Sequence, residues 1–131
     1  MVFFVLITGF NAKAQLDSTI TMCLSKMEMP YISDGQTYTA LLNGDEIAEF
    51  HATFYGGSTY RIVSYSGTSE GNIIFSVYDK EHNLLFTNND YENTPYWNFE
   101  FDYTLDCIIE AQLDTKNISS GIAVLLIGFK Q

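Results

Sequence analysis

Residues 107–129 read CIIEAQLDTKNISSGIAVLLIGF and carry the two patterns that decide the fold. In the first part, every second side chain is apolar and these side chains share one face: Cys107, Ile109, Ala111 and Leu113. Such alternation is typical of a strand with one buried face. In the second part, residues 121–129 are apolar on both faces, which is typical of a central strand covered on both sides. We therefore expect a β protein in which a further element, such as a helix, covers this strand.

The same two-residue period recurs through most of the chain. Eight segments show it and predict short strands: residues 36–42, 46–54, 59–66, 72–79, 84–87, 96–102, 107–113 and 121–129. Asn43-Gly44-Asp45 separates the first two segments and is a strong signal for a hairpin. Short strands separated by turns at intervals of about 8–12 residues favour a sandwich. The prediction is a mainly β, antiparallel, jelly-roll-like β-sandwich of about eight strands.

A helix is predicted before the first strand, over about residues 16–28. One stripe of apolar side chains has helical spacing: Leu16, Ile20, Cys23, Leu24 and Met27. Asp17 is a candidate N-cap and Pro30 a helix terminator. A helix this short is marginal alone, so its stripe should pack against the sandwich.

Residues 1–14 are interpreted as an export signal. They contain a short apolar run followed by Ala12-Lys13-Ala14, a small-x-small cleavage pattern. The run is too short to span a bilayer as a helix. We expect cleavage after Ala14, a single sandwich domain over residues 15–131, no membrane span, and a periplasmic or secreted location. The alternative is that these residues form a buried first strand.

Composition and charge narrow the partners. Of 131 residues, 47% are hydrophobic, and 16 acidic residues against 6 basic ones give a net charge of −10. This length suits one domain. The acidity argues against nucleic acid, which requires clusters of Lys and Arg, and against docking on an anionic membrane surface.

Cys23 and Cys107 are the two cysteines of the chain. The helical stripe places Cys23 on a buried face, and strand alternation places Cys107 on another. In an exported protein the two thiols could form a disulfide. The alternative is two buried free thiols, and the sequence does not decide between them.

Two runs in the middle of the chain carry a family resemblance. Residues 57–63 (GSTYRIV) and 77–86 (VYDKEHNLLF) resemble the turn and strand signatures of bacterial pre-peptidase C-terminal domains, which are sandwiches appended to secreted enzymes. More closely, residues 33–129 resemble small secreted proteins of Gram-negative bacteria that consist of this sandwich alone. The resemblance implies a fold and an exported location, and it implies no activity.

Candidate catalytic groups are sparse. A Cys/His nucleophile would need Cys107 beside His51 or His82, yet alternation turns Cys107 inward and His51 outward. No H-E-x-x-H motif occurs in the sequence. We therefore expect a non-catalytic binding or structural module of the cell envelope, with a small secreted hydrolase as the rival hypothesis.

Two kinds of ligand site are considered. Oxygen-bearing side chains near one loop could hold calcium: Asp79, Asn88, Asn89, Asp90 and Glu92. Tyr91 and Tyr96 border the same loop and could form an aromatic platform for a carbohydrate. A protein or peptide ligand is the other possibility, and no cofactor is expected apart from calcium.

Overall fold

The computed structural model describes the backbone of residues 2–130 and the side chains of residues 13–130. It contains one α-helix, nine strands and a short 3₁₀ helix within that range. Their bounds are α1 Val2–Lys26, β1 Ile32–Ser33, β2 Tyr38–Asn43, β3 Ile47–Phe54, β4 Thr59–Ser66, β5 Ile73–Tyr78, β6 Leu84–Thr87, the 3₁₀ helix Asn88–Tyr91, β7 Tyr96–Glu100, β8 Leu105–Leu113 and β9 Ser120–Lys130. No helix in the described part of the chain is long and apolar enough to cross a membrane.

The strands form two antiparallel sheets, which confirms the predicted β-sandwich. The five-stranded sheet has the order β1-β9-β4-β7. Its fifth strand, β2, also pairs with β9, over residues 120–125, whereas β1 pairs with residues 128 and 129. The four-stranded sheet has the order β3-β8-β5-β6. The prediction missed β1, because two residues are too few to show a period.

The main core lies between the two sheets and follows the predicted alternation. Ile73, Phe75 and Val77 of β5 point into it, as do the four alternating residues of β8. Packing of both inner faces against each other excludes water from this layer. The inward-facing residues read from the sequence for β5 and β8 are therefore confirmed.

Helix α1 covers the outer face of the five-stranded sheet. There Cys23 packs against Val63 and Tyr65 of β4 and against Val124 and Leu126 of β9 in a second buried cluster. This confirms that residues 121–129 form a central strand covered on both sides. Gly128 has a specific role in this contact, because a Cβ at that position would collide with the Met27 side chain.

The helix differs from the prediction at its N-terminal end. It is continuous from Val2 to Lys26, so Asp17 lies in its interior and is not an N-cap. The helix therefore runs through the predicted boundary without a break. At the other end, the helix stops before Pro30, as predicted.

The predicted hairpin of β2 and β3 is wrong. The turn itself forms, with Gly44 at a φ of 59° and a hydrogen bond of 3.2 Å from the Glu46 N–H to the Asn43 carbonyl. However, β2 pairs with β9 whereas β3 pairs with β8. The turn is a corner between the two sheets, because each strand finds a full-length partner elsewhere.

The cysteines are free, which settles the alternative that the sequence left open. Cys23 lies in the cluster under the helix and Cys107 in the core between the sheets. The five-stranded sheet separates them, so a disulfide with its short Cα separation cannot form. Burial raises the pKa of Cys23 to about 12 and that of Cys107 to about 11, which makes both thiols poor nucleophiles.

Candidate functional site: a groove at the sandwich edge

A groove of about 550 Å³ opens at one edge of the sandwich. Strand β9 pairs with β1 up to Ser33 and with β2 from Tyr38, so residues 34–37 leave a gap in the ladder. Across this gap lies the C-terminal half of β3, which is an edge strand. The mismatch in strand lengths thus leaves part of the inter-sheet layer open. We call this opening the edge groove; it is lined by Asp34, Gln36, Tyr38, residues 51–55, Ser58, Tyr60, Ile127 and Phe129.

Several aromatic side chains line the edge groove. Phe54 and Tyr60 meet edge to face with ring centroids 4.9 Å apart, and Phe129 and Tyr38 complete the lining. The Tyr60 hydroxyl accepts a hydrogen bond of 2.8 Å from the Tyr55 N–H, which fixes the ring. The groove is therefore a preformed aromatic site of the size that ligand pockets usually have.

Asp34 supplies the one carboxylate among the lining residues, all of which lie in the described part of the chain. Its Oδ1 accepts a hydrogen bond of 2.9 Å from the Gln36 N–H, and its own N–H donates to the Ile127 carbonyl. Burial and the charge of Asp34 raise the pKa of Tyr38. Within residues 13–130, no basic side chain approaches the Asp34 carboxylate within 4.0 Å.

The outer face of the four-stranded sheet carries both histidines. His51 Nε2 lies 3.1 Å from Glu49 Oε2, and His82 Nε2 lies 3.6 Å from Glu110 Oε2. Cys107 is buried on the opposite side of this sheet. The structure therefore does not bring a histidine to the thiol, and the considered Cys/His pair is not formed.

A shallow depression on that outer face adjoins His51. In it, the Asp106 carboxylate accepts a hydrogen bond of 2.6 Å from the Thr53 hydroxyl and lies 3.3 Å from Lys80 Nζ. These two contacts lower the pKa of Asp106. The carboxylate is thus held ionised and paired with Lys80. A general acid or base needs a pKa near the working pH, so this carboxylate is better suited to a surface contact than to acid–base catalysis.

The residues considered for calcium are separated in the structure. Asn88 is buried, and its amide donates to the carbonyls of Ile73 and Thr94 and accepts from the Phe75 N–H. Asp79 follows the far end of β5, four residues from Phe75, or about 13 Å along an extended strand. Asp79 and Asn88 therefore cannot bind one ion together.

The remaining members of that set lie on or beside the 3₁₀ helix. Asn89, Asp90 and Glu92 are exposed. Asp79 accepts hydrogen bonds from the backbone and the side-chain amide of Asn83, which lower its pKa. Within the described residues, no three His, Cys, Asp or Glu side chains are grouped to hold a metal. Calcium binding by the exposed loop stays a prediction.

Tyr91 and Tyr96 do not form one platform. Tyr91 stacks on Phe86 and Trp97, with ring centroids 5.7 and 4.3 Å apart, and is 50% exposed. Tyr96 packs in the cluster under the helix and lies against the guanidinium of Arg61. Tyr96 and Trp97 are adjacent on β7, so their rings project from opposite faces of that strand, and Tyr91 packs on the Trp97 side.

Sequence reasoning missed the residues of the edge groove. The sequence pattern indicates ordinary strand positions for Tyr38, Phe54 and Tyr60, and a turn position for Asp34. The groove depends on where β1 ends and β2 begins along β9, and no local motif reports that. The sequence signal that could have drawn attention was the Ser33-Asp34-Gly35 break before an aromatic strand.

The fold is an antiparallel β-sandwich with a helix on one face and a groove at its edge. The chain matches no protein-family model and no curated protein, so no match supports the resemblance to pre-peptidase C-terminal domains. Among solved structures it is similar to the crystal structure of Aeromonas hydrophila PliG, a periplasmic lysozyme inhibitor of g-type lysozyme. The TM-score is 0.57 at 10% identity, covering 79% of this chain and 90% of that chain. At this identity, the likeness concerns the fold.

Proposed function

We propose that this chain is an exported, non-catalytic protein that binds and inhibits a lysozyme-class enzyme. The observation that carries the proposal is the likeness to the periplasmic lysozyme inhibitor, which extends over 90% of that chain. A match of this extent concerns a whole domain and not a shared supersecondary motif. Function does not follow from fold alone, so the surface of this protein must also fit the binding of a protein partner.

Surface chemistry supports a protein partner. Two aromatic side chains are exposed at one end of the sandwich, Tyr55 at 62% and Tyr103 at 70%. Exposed aromatic rings are enriched at protein interfaces. The edge groove lies beside Tyr55, so the two features together form a shaped and aromatic contact region.

Charge supports a basic partner. The net charge of −10 gives a strongly negative surface, which accelerates encounter with a positively charged protein and weakens in salt. An anionic polymer or membrane would be repelled by the same field. An enzyme of net positive charge is therefore the partner chemistry that this surface favours.

The proposed location is the periplasm or the cell exterior. The apolar leader and the cleavage pattern at residues 12–14 support it, as does the periplasmic origin of the similar inhibitor. Both cysteines are buried and free, so an oxidising compartment would leave them unpaired.

Inhibition of lysis tests the proposal. Purified protein is titrated into g-type lysozyme, and the clearing of a peptidoglycan suspension is followed by turbidity. We expect the rate to fall in proportion to added protein up to equimolar ratio, and less steeply at high salt. An unrelated protein of equal net charge serves as the control. An unchanged rate at tenfold molar excess would refute the inhibitor proposal, and clearing by the protein alone would refute its non-catalytic nature.

A further inference from the structure

We propose that the edge groove binds an arginine side chain presented by the partner protein. This inference rests on the proposed function for the existence of a protein partner, whereas the chemistry of the groove stands by itself. In this groove one carboxylate, that of Asp34, lies together with aromatic side chains in a lining that is open at the sandwich edge.

The aromatic lining favours a flat cation. The half-buried Tyr38 and Phe129 line the groove together with the buried Phe54 and Tyr60, and ring faces that are accessible attract positive charge. Guanidinium is planar and weakly hydrated, so it stacks on aromatic rings at lower desolvation cost than an ammonium group. The same chain already shows this preference, because Arg61 lies between the rings of Tyr31 and Tyr96 at 4.3 and 4.5 Å.

The carboxylate supplies the charge partner. Asp34 is the sole acidic lining residue among those described, and its Oδ1 is oriented by the Gln36 N–H. Carboxylate oxygens retain lone pairs after accepting one hydrogen bond, so Asp34 can accept from a guanidinium as well. An anion would meet repulsion here, and an apolar side chain would cover Asp34 without pairing it.

The edge strand adds acceptors beside the carboxylate. Strand β3 pairs with β8 on one side and borders the groove on the other. A free strand edge presents backbone carbonyls, and guanidinium has five N–H donors to distribute. A side chain entering from solvent would thus meet rings on its faces and oxygens at its edge.

A small probe tests the groove without any partner protein. The ¹⁵N-labelled full chain is titrated with Nα-acetylargininamide and, as a matched neutral probe, with Nα-acetylcitrullinamide. We expect saturable shifts at the amides of residues 34–38 and 51–55, with a millimolar dissociation constant, and about tenfold weaker binding of the citrulline probe. Absence of shifts in these segments, or equal binding of the two probes, would overturn the inference.

Two matched variants locate the charge. Asp34→Asn keeps the oxygen that accepts from the Gln36 N–H and removes the charge, so it should fold and bind the arginine probe about tenfold more weakly. Asp45→Asn removes an exposed carboxylate in the β2–β3 corner, outside the groove, and should leave probe binding unchanged. Equal effects of the two variants would contradict a specific role for Asp34.

The same variants separate this inference from the proposed function. If the wild-type chain inhibits lysozyme and Asp34→Asn inhibits equally well, the groove is not the docking site and the inference fails while the proposed function stands. If the groove binds the arginine probe as expected and lysozyme is not inhibited, the inhibitor proposal fails while the chemistry of the groove is supported.

Discussion

Arg61 on β4 joins the helix to the sandwich, and its removal gives the sharpest test of how the helix is held. Its Nη1 donates a hydrogen bond of 2.9 Å to the Lys26 carbonyl at the helix C-terminus, and its Nε donates one of 2.8 Å to Asn98 Oδ1. Its guanidinium also lies over Tyr31 and Tyr96. Carbonyls at a helix end have no partner within the helix and favour a cation.

The expected cost of Arg61→Met follows from these contacts. Methionine retains an unbranched apolar stem and removes the donors and the charge. A hydrogen bond to a charged group contributes about 1.5–3 kcal/mol, and each partly exposed cation–π contact about 0.5–1 kcal/mol. The contributions overlap because one guanidinium makes all of them, so we expect a loss of about 2–3 kcal/mol and a fall in Tm of about 6–12 °C.

Urea unfolding followed by circular dichroism measures this loss. Lys80→Met is the matched control, because Lys80 makes an exposed ion pair with Asp106 and such pairs contribute little; its midpoint should not move. Hydrogen exchange should also show faster opening of residues 16–26 in Arg61→Met, with β5 and β8 still protected. A midpoint as unchanged as that of the control would refute the role assigned to Arg61.

Four further predictions concern buried polar groups and maturation. The Tyr65 hydroxyl is buried without a hydrogen-bond partner among the described residues, so Tyr65→Phe should raise the free energy of unfolding by up to about 1 kcal/mol; a loss in chemical denaturation would contradict this. Tyr60→Phe removes a hydroxyl that accepts a backbone hydrogen bond and should instead lower it by about 1–2 kcal/mol. Thiol labelling should find Cys23 and Cys107 unreactive in the native protein and both reactive in denaturant without reductant. Folding raises their pKa values from about 9 to about 12 and 11, so the thiols of the unfolded chain ionise at lower pH. The free energy of unfolding should therefore fall as the pH rises above about 9. Mass spectrometry of the exported protein should find a chain that starts directly after Ala14, and retention of the leader would contradict the export signal.

Local patterns predicted the strands well and their partners poorly. Alternation in β3, β5 and β8 is a property of neighbouring residues, so the inward faces could be read directly. Pairing is a long-range choice, and a turn such as Asn43-Gly44-Asp45 serves equally as a hairpin or as a corner between sheets. The helix start was missed because α1 continues through residues 2–11, whose β-branched and aromatic residues have low helix propensity.

The cysteines show a second limit of sequence reasoning. The patterns correctly buried both Cys23 and Cys107, but burial does not say in which layer a side chain lies. This protein has two buried layers, one on each face of the five-stranded sheet. The edge groove escaped prediction for a related reason, since it depends on strand ends that are aligned only in the folded sheet.

The position of β9 has a consequence for the order of folding. This strand, near the end of the chain, pairs with β1, β2 and β4, so the five-stranded sheet has no centre until residues 120–130 are available. Most of its contacts join residues that are distant in sequence, and such topologies fold slowly. Residues 32–113 therefore cannot complete the five-stranded sheet before residues 120–130 have been synthesised. If the exported chain crosses a membrane channel unfolded, its five-stranded sheet stays open, and the chain can still be threaded, until β9 has crossed.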